Sequence, residues 1–184
     1  MKKIEVAVIL GAGFGKRLTP ITNEIPKPLV EIGNETILEK TIKIVKKLNL
    51  KKILINTHYK RDQLKNFIEK KNFDIDIELF EEVPEILNTG GGILNMIMEN
   101  KNEYFLIFNP DTLWNEEYVN EVYKMQSFYF LKKINCILLM ANKSLSFDKN
   151  LKGDFSIKDN LLKKDDNKNY IYIGCQILNR NIFN

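Results

Sequence analysis

The stretch VAVILGAGFGKRLTPITNEIPKPLV, Val6 to Val30, holds an apolar run followed by three glycines, three cationic residues and three prolines. Ile4 to Leu10 reads as a buried strand, and Gly11 to Gly15 as the loop at its carboxyl end. In open parallel sheets, ligands sit beyond the carboxyl ends of the strands. Spacing separates the ligand classes that use such loops. A dinucleotide fingerprint, G-x-G-x-x-G, is met at Gly11 and Gly13. Its third glycine falls on Lys16, however, and Pro20, Pro26 and Pro28 stand where a helix should follow. A P-loop, G-x-x-x-x-G-K-[ST], fails because Arg17 follows Gly15-Lys16 and Leu10 takes the first glycine position. Two readings remain: a phosphate loop of another kind, or a tight turn with solvated basic residues. Glycines that let backbone N–H groups converge on an anion suit the first. So do Lys16, Arg17 and Lys27, with the prolines expected to hold the segment extended so that Lys27 reaches back to the loop.

The rest of the chain alternates. Helices are predicted at Thr36 to Leu48, Asp62 to Lys70, Gly92 to Met98 (entered through glycines) and Glu116 to Phe130. Strands are predicted at Ile53 to Asn56, Ile75 to Phe80, Tyr104 to Phe108 and Ile134 to Met140. Asp154 to Ile157, Leu161 to Leu162 and Tyr170 to Leu178 read as short strands joined by polar turns. This rhythm predicts a mainly parallel sheet covered on both faces. No repeat or Pro/Gly/Ser-rich linker marks a domain boundary.

Composition sets the class. The 184 residues are 44% apolar and 28% charged, enough for one soluble globular domain with a sizeable core. The net charge of +4 comes with lysine spread along the whole chain and no basic stripe interleaved with aromatics, so nucleic acid is not an expected partner. Cys136 and Cys175 lie far apart in apolar runs and read as buried thiols rather than a disulfide or zinc site. Met1 to Lys3 starts like a secretory leader, but Glu5 follows and Val6 to Leu10 is too short for its apolar core. With no stretch fit for membrane insertion, a cytoplasmic protein is expected.

The run L-G-A-G-F-G-K-R-L-T-P-I-T, a spacer, then P-K-P resembles the signature L-A-A-G-x-G-x-R-x-x-P-L-T…P-K-P of the sugar-1-phosphate nucleotidyltransferases, which make nucleoside-diphosphate sugars. Gly11 for alanine is the one departure in the glycine core and is expected to be tolerated. N-T-G-G-G-I (Asn88 to Ile93), F-N-P-D-T-L-W (Phe108 to Trp114), K-G-D-F (Lys152 to Phe155) and Y-I-G-C-Q-I-L (Tyr172 to Leu178) are similar, in order, to motifs of bacterial N-acetylmuramate-1-phosphate uridylyltransferases. Mannose- and heptose-1-phosphate guanylyltransferases share most of them.

The resemblance implies an α/β, Rossmann-like nucleotide-diphospho-sugar transferase fold, with a mainly parallel mixed sheet and helices on both faces. It implies transfer of a nucleotidyl group from UTP or GTP to a sugar 1-phosphate, with Mg²⁺ as cofactor. Gly11, Ala12, Gly13, Gly15 and Lys16 would hold the nucleotide. Arg17 would hold the departing phosphates, and Lys27 would bridge the α-phosphate and the sugar phosphate. Thr89 and Gly90 would lie against the base, Asn109 against the sugar phosphate and Asp154 against the sugar. Asp111, which from the residues alone reads equally well as a turn aspartate after Pro110, becomes the Mg²⁺ ligand. Pro110 replaces a glycine of the family motif and is expected to alter how Asn109 and Asp111 approach the phosphates. Relatives continue past the last strand to a second metal-binding aspartate. A single domain over 1–184 lacking that segment is therefore expected, with a weakly active or inactive nucleotide-binding relative as the alternative.

The residue types suit this chemistry. A phosphate monoester is already largely dianionic near neutral pH, since its second pKa is about 6, so no general base is required. His58, the only histidine, is expected to be a structural hydrogen-bonder. Glu81 and Glu82 are expected in a solvated loop, Asp165-Asp166 in a turn, and Phe128, Tyr129 and Phe130 packed at the end of a helix.

Overall fold

The computed structural model describes residues 3–183; most of the leader-like start, Met1 to Lys3, lies outside them. The chain opens with β1 (Val6–Leu10). The proline-rich segment is not extended. It forms a 3₁₀ turn at Lys16–Leu18, the short helix α1 (Ile21–Glu24) and a second 3₁₀ turn at Lys27–Leu29. Proline is tolerated in a helix's first turn, where no intrahelical N–H bond is lost. Pro20 and Pro26 stand immediately before these elements, and Pro28 within the first turn of the last. A two-residue hairpin, β2 (Glu31–Ile32) and β3 (Glu35–Thr36), leads to α2 (Ile37–Lys47). Thr36 and Glu39 form a reciprocal capping box at its start.

There follow β4 (Lys52–Thr57), α3 (Arg61–Lys70), β5 (Asp76–Glu81), α4 (Asn88–Ile97), β6 (Tyr104–Phe108), α5 (Glu117–Lys132) and β7 (Cys136–Asn142). A small hairpin, β8 (Ser156–Lys158) and β9 (Leu161–Lys163), precedes the long β10 (Tyr170–Asn179). α4 starts four residues earlier than its periodicity suggests. All three of its glycines lie in the first turns, because the buried positions that mark the helix begin only at Gly92 and Ile93.

Six strands make one sheet in the order β5-β4-β1-β6-β10-β7. β5, β4, β1 and β6 pair in parallel; β10 runs antiparallel to both β6 and β7. The sheet is thus mixed and mainly parallel. Alternation along β1 divides the core. Ala7 and Ile9 pack with Leu38, Ile42 and Val45 of α2, Leu64 of α3 and Val122 of α5 on one face. Val6 and Val8 pack with Ile93, Met96 and Ile97 of α4 on the other. Tyr129 packs edge-on against Tyr104 and Phe130, closing the end of α5. Cys175 is buried in β10 and Cys136 half-buried in β7; both are free thiols. Among the described residues no helix is long and apolar enough to cross a membrane.

Candidate active site

The carboxyl ends of β1, β4 and β6 open into one cleft of about 300 Å³. Gly11, Ala12, Gly13 and Gly15 form its floor, and Lys27 and Pro28 one wall. Asn88 and Thr89 come from the start of α4, and Asn109, Pro110 and Asp111 from the end of β6. Asp111 is the only acidic residue of this lining. Its Oδ2 accepts from Lys27 Nζ at 2.7 Å and from Arg17 NH2 at 3.2 Å. The lysine is well covered, with 15% of its side chain exposed, whereas the arginine is 88% exposed. The convergence on one carboxylate belongs to residues 84 and 94 positions apart in sequence.

Local structure explains how each wall is held. Gly15 adopts a left-handed φ of 66°, and its carbonyl accepts from the Thr22 hydroxyl at 3.0 Å. Tyr59 then donates to the Thr22 carbonyl at 2.8 Å, and Phe14 packs on His58 and Tyr59, so the loop is tethered to the β4–α3 connection. Asp111 is anchored from β10, whose register shifts between Tyr172 and Gln176. Within this bulge Gly174 has φ 85° and accepts the Asn109 N–H at 2.8 Å; Ile173 accepts the Thr112 hydroxyl at 2.7 Å. A Cβ on Gly174 would lie 2.8 Å from Thr112 Oγ1, so the close approach requires glycine. These anchors hold the loop with Pro110 in the cleft wall. Behind it, burial raises the pKa of Tyr172, with Cys175, Cys136 and Asp111 acting in the same direction, so the phenol stays neutral.

Of the residues expected at the site, Gly11, Ala12, Gly13, Gly15, Lys27, Thr89, Asn109 and Asp111 line one cleft, with Arg17 joined to it through Asp111. Gly90 adjoins Thr89 in the first turn of α4. Lys16 is instead directed at the ring of Phe14, 5.7 Å from its centroid. Asp154 lies outside the lining, where its carboxylate accepts the Tyr172 N–H at 2.9 Å. His58 is a hydrogen-bonder, with Nδ1 2.7 Å from the Glu82 carbonyl.

One expectation at the site needs correction. Glu82 is not in a solvated loop: it is 1% exposed. Its carboxylate is enclosed by Asn56 of β4 and the entry to α4, which a local acidic pair does not reveal; Glu81, beside it, is exposed and pairs with Arg61. Glycine is accommodated at position 11 and suits the site better than alanine would, because a Cβ there would come 2.7 Å from the Asn56 backbone oxygen. Asn56 was itself missed as a site residue. A buried amide at the carboxyl end of an apolar strand was the available signal.

A family model described as Nucleotidyl transferase matches residues 6–140. The chain belongs to the nucleotidyl transferase family. The N-acetylmuramate alpha-1-phosphate uridylyltransferase of Caulobacter vibrioides is 25% identical over 180 residues, covering 94% of this chain and 74% of that protein. The D-glycero-alpha-D-manno-heptose 1-phosphate guanylyltransferase of Aneurinibacillus thermoaerophilus is 32% identical over 108 residues, 59% of this chain and 46% of that one. This nucleotidyl transferase chain therefore matches under half the length of the second relative. A crystal structure of UDP-glucose pyrophosphorylase complexed with UDP-glucose superposes with a TM-score of 0.78 over 98% of this chain and 78% of that one, at 19% identity; the two share a fold.

Proposed function

We propose that this chain transfers a uridylyl or guanylyl group from a nucleoside triphosphate to a sugar 1-phosphate, releasing pyrophosphate. The observation that carries the reading is the convergence of Lys27 and Arg17 on Asp111 in the cleft that the glycine loop lines. A phosphate oxygen of the sugar phosphate forms a bond to the α-phosphorus of the nucleotide. The bond from that phosphorus to the α,β-bridging oxygen breaks, and its electron pair leaves on pyrophosphate. The entering group is already anionic, so no proton must be removed. The protein's part is in-line alignment and charge neutralisation.

In this reading Gly11 to Gly15 approach the nucleotide through their backbone. Lys27, the better-buried cation, faces the α-phosphoryl group and the sugar phosphate, and Arg17 the departing phosphates. Thr89 and Gly90 lie against the base, Asn109 near the sugar phosphate, and Asp154 at the sugar's outer side. Among the described residues no group of three or more His, Cys, Asp or Glu side chains forms a metal site. A single carboxylate nevertheless fits Mg²⁺, which binds NTP sites through one or two carboxylates together with phosphate oxygens. Asp111 would hold it, and bound Mg²⁺ would supply further neutralisation of phosphate charge. A cytoplasmic setting suits a reaction that consumes nucleoside triphosphates.

The test is pyrophosphate release from a panel of nucleoside triphosphates crossed with sugar 1-phosphates. Release that needs both substrates supports the reading. Nucleotide binding with no release from any pair would refute it.

A further inference from the structure

We propose that Glu82 is a positioning residue that locks the glycine loop after β1 to the glycine turn of α4, so that two walls of the cleft are held as one unit. The proposal rests on the nucleotidyl-transfer reading only for what the cleft binds. Glu82 follows β5, on neither glycine motif. Its Oε1 accepts from Asn56 Nδ2 at 2.6 Å, and its Oε2 accepts the Leu87 N–H, at the entry to α4, at 2.8 Å. Asn56 Oδ1 in turn accepts the Gly11 N–H at 2.7 Å. One path of three hydrogen bonds thus runs from the first glycine of one motif to the residue before the other.

The glycines show that this pair is built into both walls. A Cβ on Gly92 would lie 2.6 Å from Glu82 Oε1 and 2.7 Å from Asn56 Nδ2. A Cβ on Gly11 would lie 2.7 Å from the Asn56 carbonyl oxygen. One glycine in each motif is therefore required by Asn56 and Glu82 packing against its Cα. The N–H groups of Gly11 and Leu87 are both taken by the lock.

The chemistry of the lock is specific. Both donors that meet Glu82 need an acceptor, and only a carboxylate of this length offers two. Glu82→Gln sets an NH₂ group against either Asn56 Nδ2 or the Leu87 N–H. Asn56→Asp sets a carboxylate against a carboxylate. In the double variant Asn56→Asp/Glu82→Gln all three bonds can form again. The new carboxylate accepts from Gly11 and from the new amide, whose oxygen accepts from Leu87.

The experiment compares the full wild-type chain, both single variants and the double variant. Amide exchange at Gly11 and Leu87 is read without ligand, and KM for the nucleotide and kcat are read by pyrophosphate release. Each single change leaves a buried polar group unpaired and is expected to speed exchange at both amides about ten- to a hundredfold. It should also raise the nucleotide KM by more than it lowers kcat. The double variant should return exchange to within about threefold of wild type. If a single variant does not fold, recovery of cooperative unfolding in the double variant supports the lock. Single variants that exchange like wild type, or a double variant no better than the singles, would overturn it. Restored exchange in the double variant, with no pyrophosphate released by the wild-type chain from any substrate pair, upholds the lock while refuting the nucleotidyl-transfer reading.

Discussion

Gly90 and Gly92, two residues apart in α4, should respond in opposite ways to the same added methyl group. Gly90 is exposed in the first turn, and a Cβ built on it meets nothing within 4 Å. Alanine is favoured over glycine in a helix by about 0.5–1 kcal/mol, so Gly90→Ala should stabilise the chain. For a domain of this size that raises Tm by about 1–4 °C. Gly92 is buried, and its Cβ would strike Glu82 Oε1 at 2.6 Å. Overpacking of this kind costs about 1–3 kcal/mol, so Gly92→Ala should lower Tm. Binding separates the two further. If the nucleotide base lies against Gly90, the new methyl enters the ligand's space. A comparable overpacking cost weakens nucleotide affinity about fivefold to a hundredfold in a protein that has become more stable. The assay pairs thermal unfolding with calorimetric titration of a non-hydrolysable nucleoside triphosphate in Mg²⁺. A Gly90→Ala protein that unfolds earlier would refute the open-space argument. One that is stabilised and binds with unchanged affinity would remove Gly90 from the nucleotide contact.

Lys27→Ala should lower kcat by about 10²–10³ while Tm stays within about 2 °C; near-normal turnover would take Lys27 out of the reaction. Asp111→Asn should strengthen nucleotide binding in chelator, because the removed charge competes with phosphate for Lys27 and Arg17. A unit charge about 6 Å away at an effective dielectric of about 20–80 gives about 0.7–2.8 kcal/mol, or about three- to a hundredfold. The same variant should lose its Mg²⁺-dependent turnover, and weaker binding in chelator would contradict the pairing seen with both cations. Burial raises the pKa of both thiols, most of all for the fully buried Cys175. At pH 8 the native protein should therefore react slowly with a disulfide reagent at Cys136 and only on unfolding at Cys175. Rapid titration of two thiols in the native state would count against this packing.

The sheet was legible because its signal is local. Tyr104 to Phe108 is an unbroken apolar run, and its strand has those same bounds. The helix predicted over Thr36 to Leu48 from its apolar spacing forms as α2, within one residue at each end. The floor of the cleft was legible for the same reason, since the glycine loop directly follows a strand. What escaped notice depends on contacts between segments. Glu82 lies beside Glu81 in sequence, and only the meeting of β4, β5 and α4 makes one buried and the other exposed. Pro20, Pro26 and Pro28 misled because proline disfavours a helix interior but not its first turn, and the elements they introduce are three or four residues long. Gly15 and Gly174 look alike as letters, yet one turns a loop and the other shapes a bulge that holds Asp111.

The three charges at the cleft also bear on how a nucleotide could enter. Arg17 is almost fully exposed, and an ion pair of that kind contributes about 0–1 kcal/mol, so releasing it from Asp111 costs little. Lys27 is better covered and closer to the carboxylate, so its release costs more. A triphosphate brings several negative charges to a place where one carboxylate now holds both cations. It can recruit Arg17 first, at the open side, and draw Lys27 from Asp111 only once its phosphates are seated over the glycine loop. Each step strips a positive partner from Asp111, and the freed carboxylate becomes a better ligand for a divalent cation as the phosphates arrive. On the nucleotidyl-transfer reading, triphosphate and metal therefore favour each other's binding through the same three side chains. The Asp111→Asn variant should abolish that mutual preference while leaving the cleft open to the nucleotide.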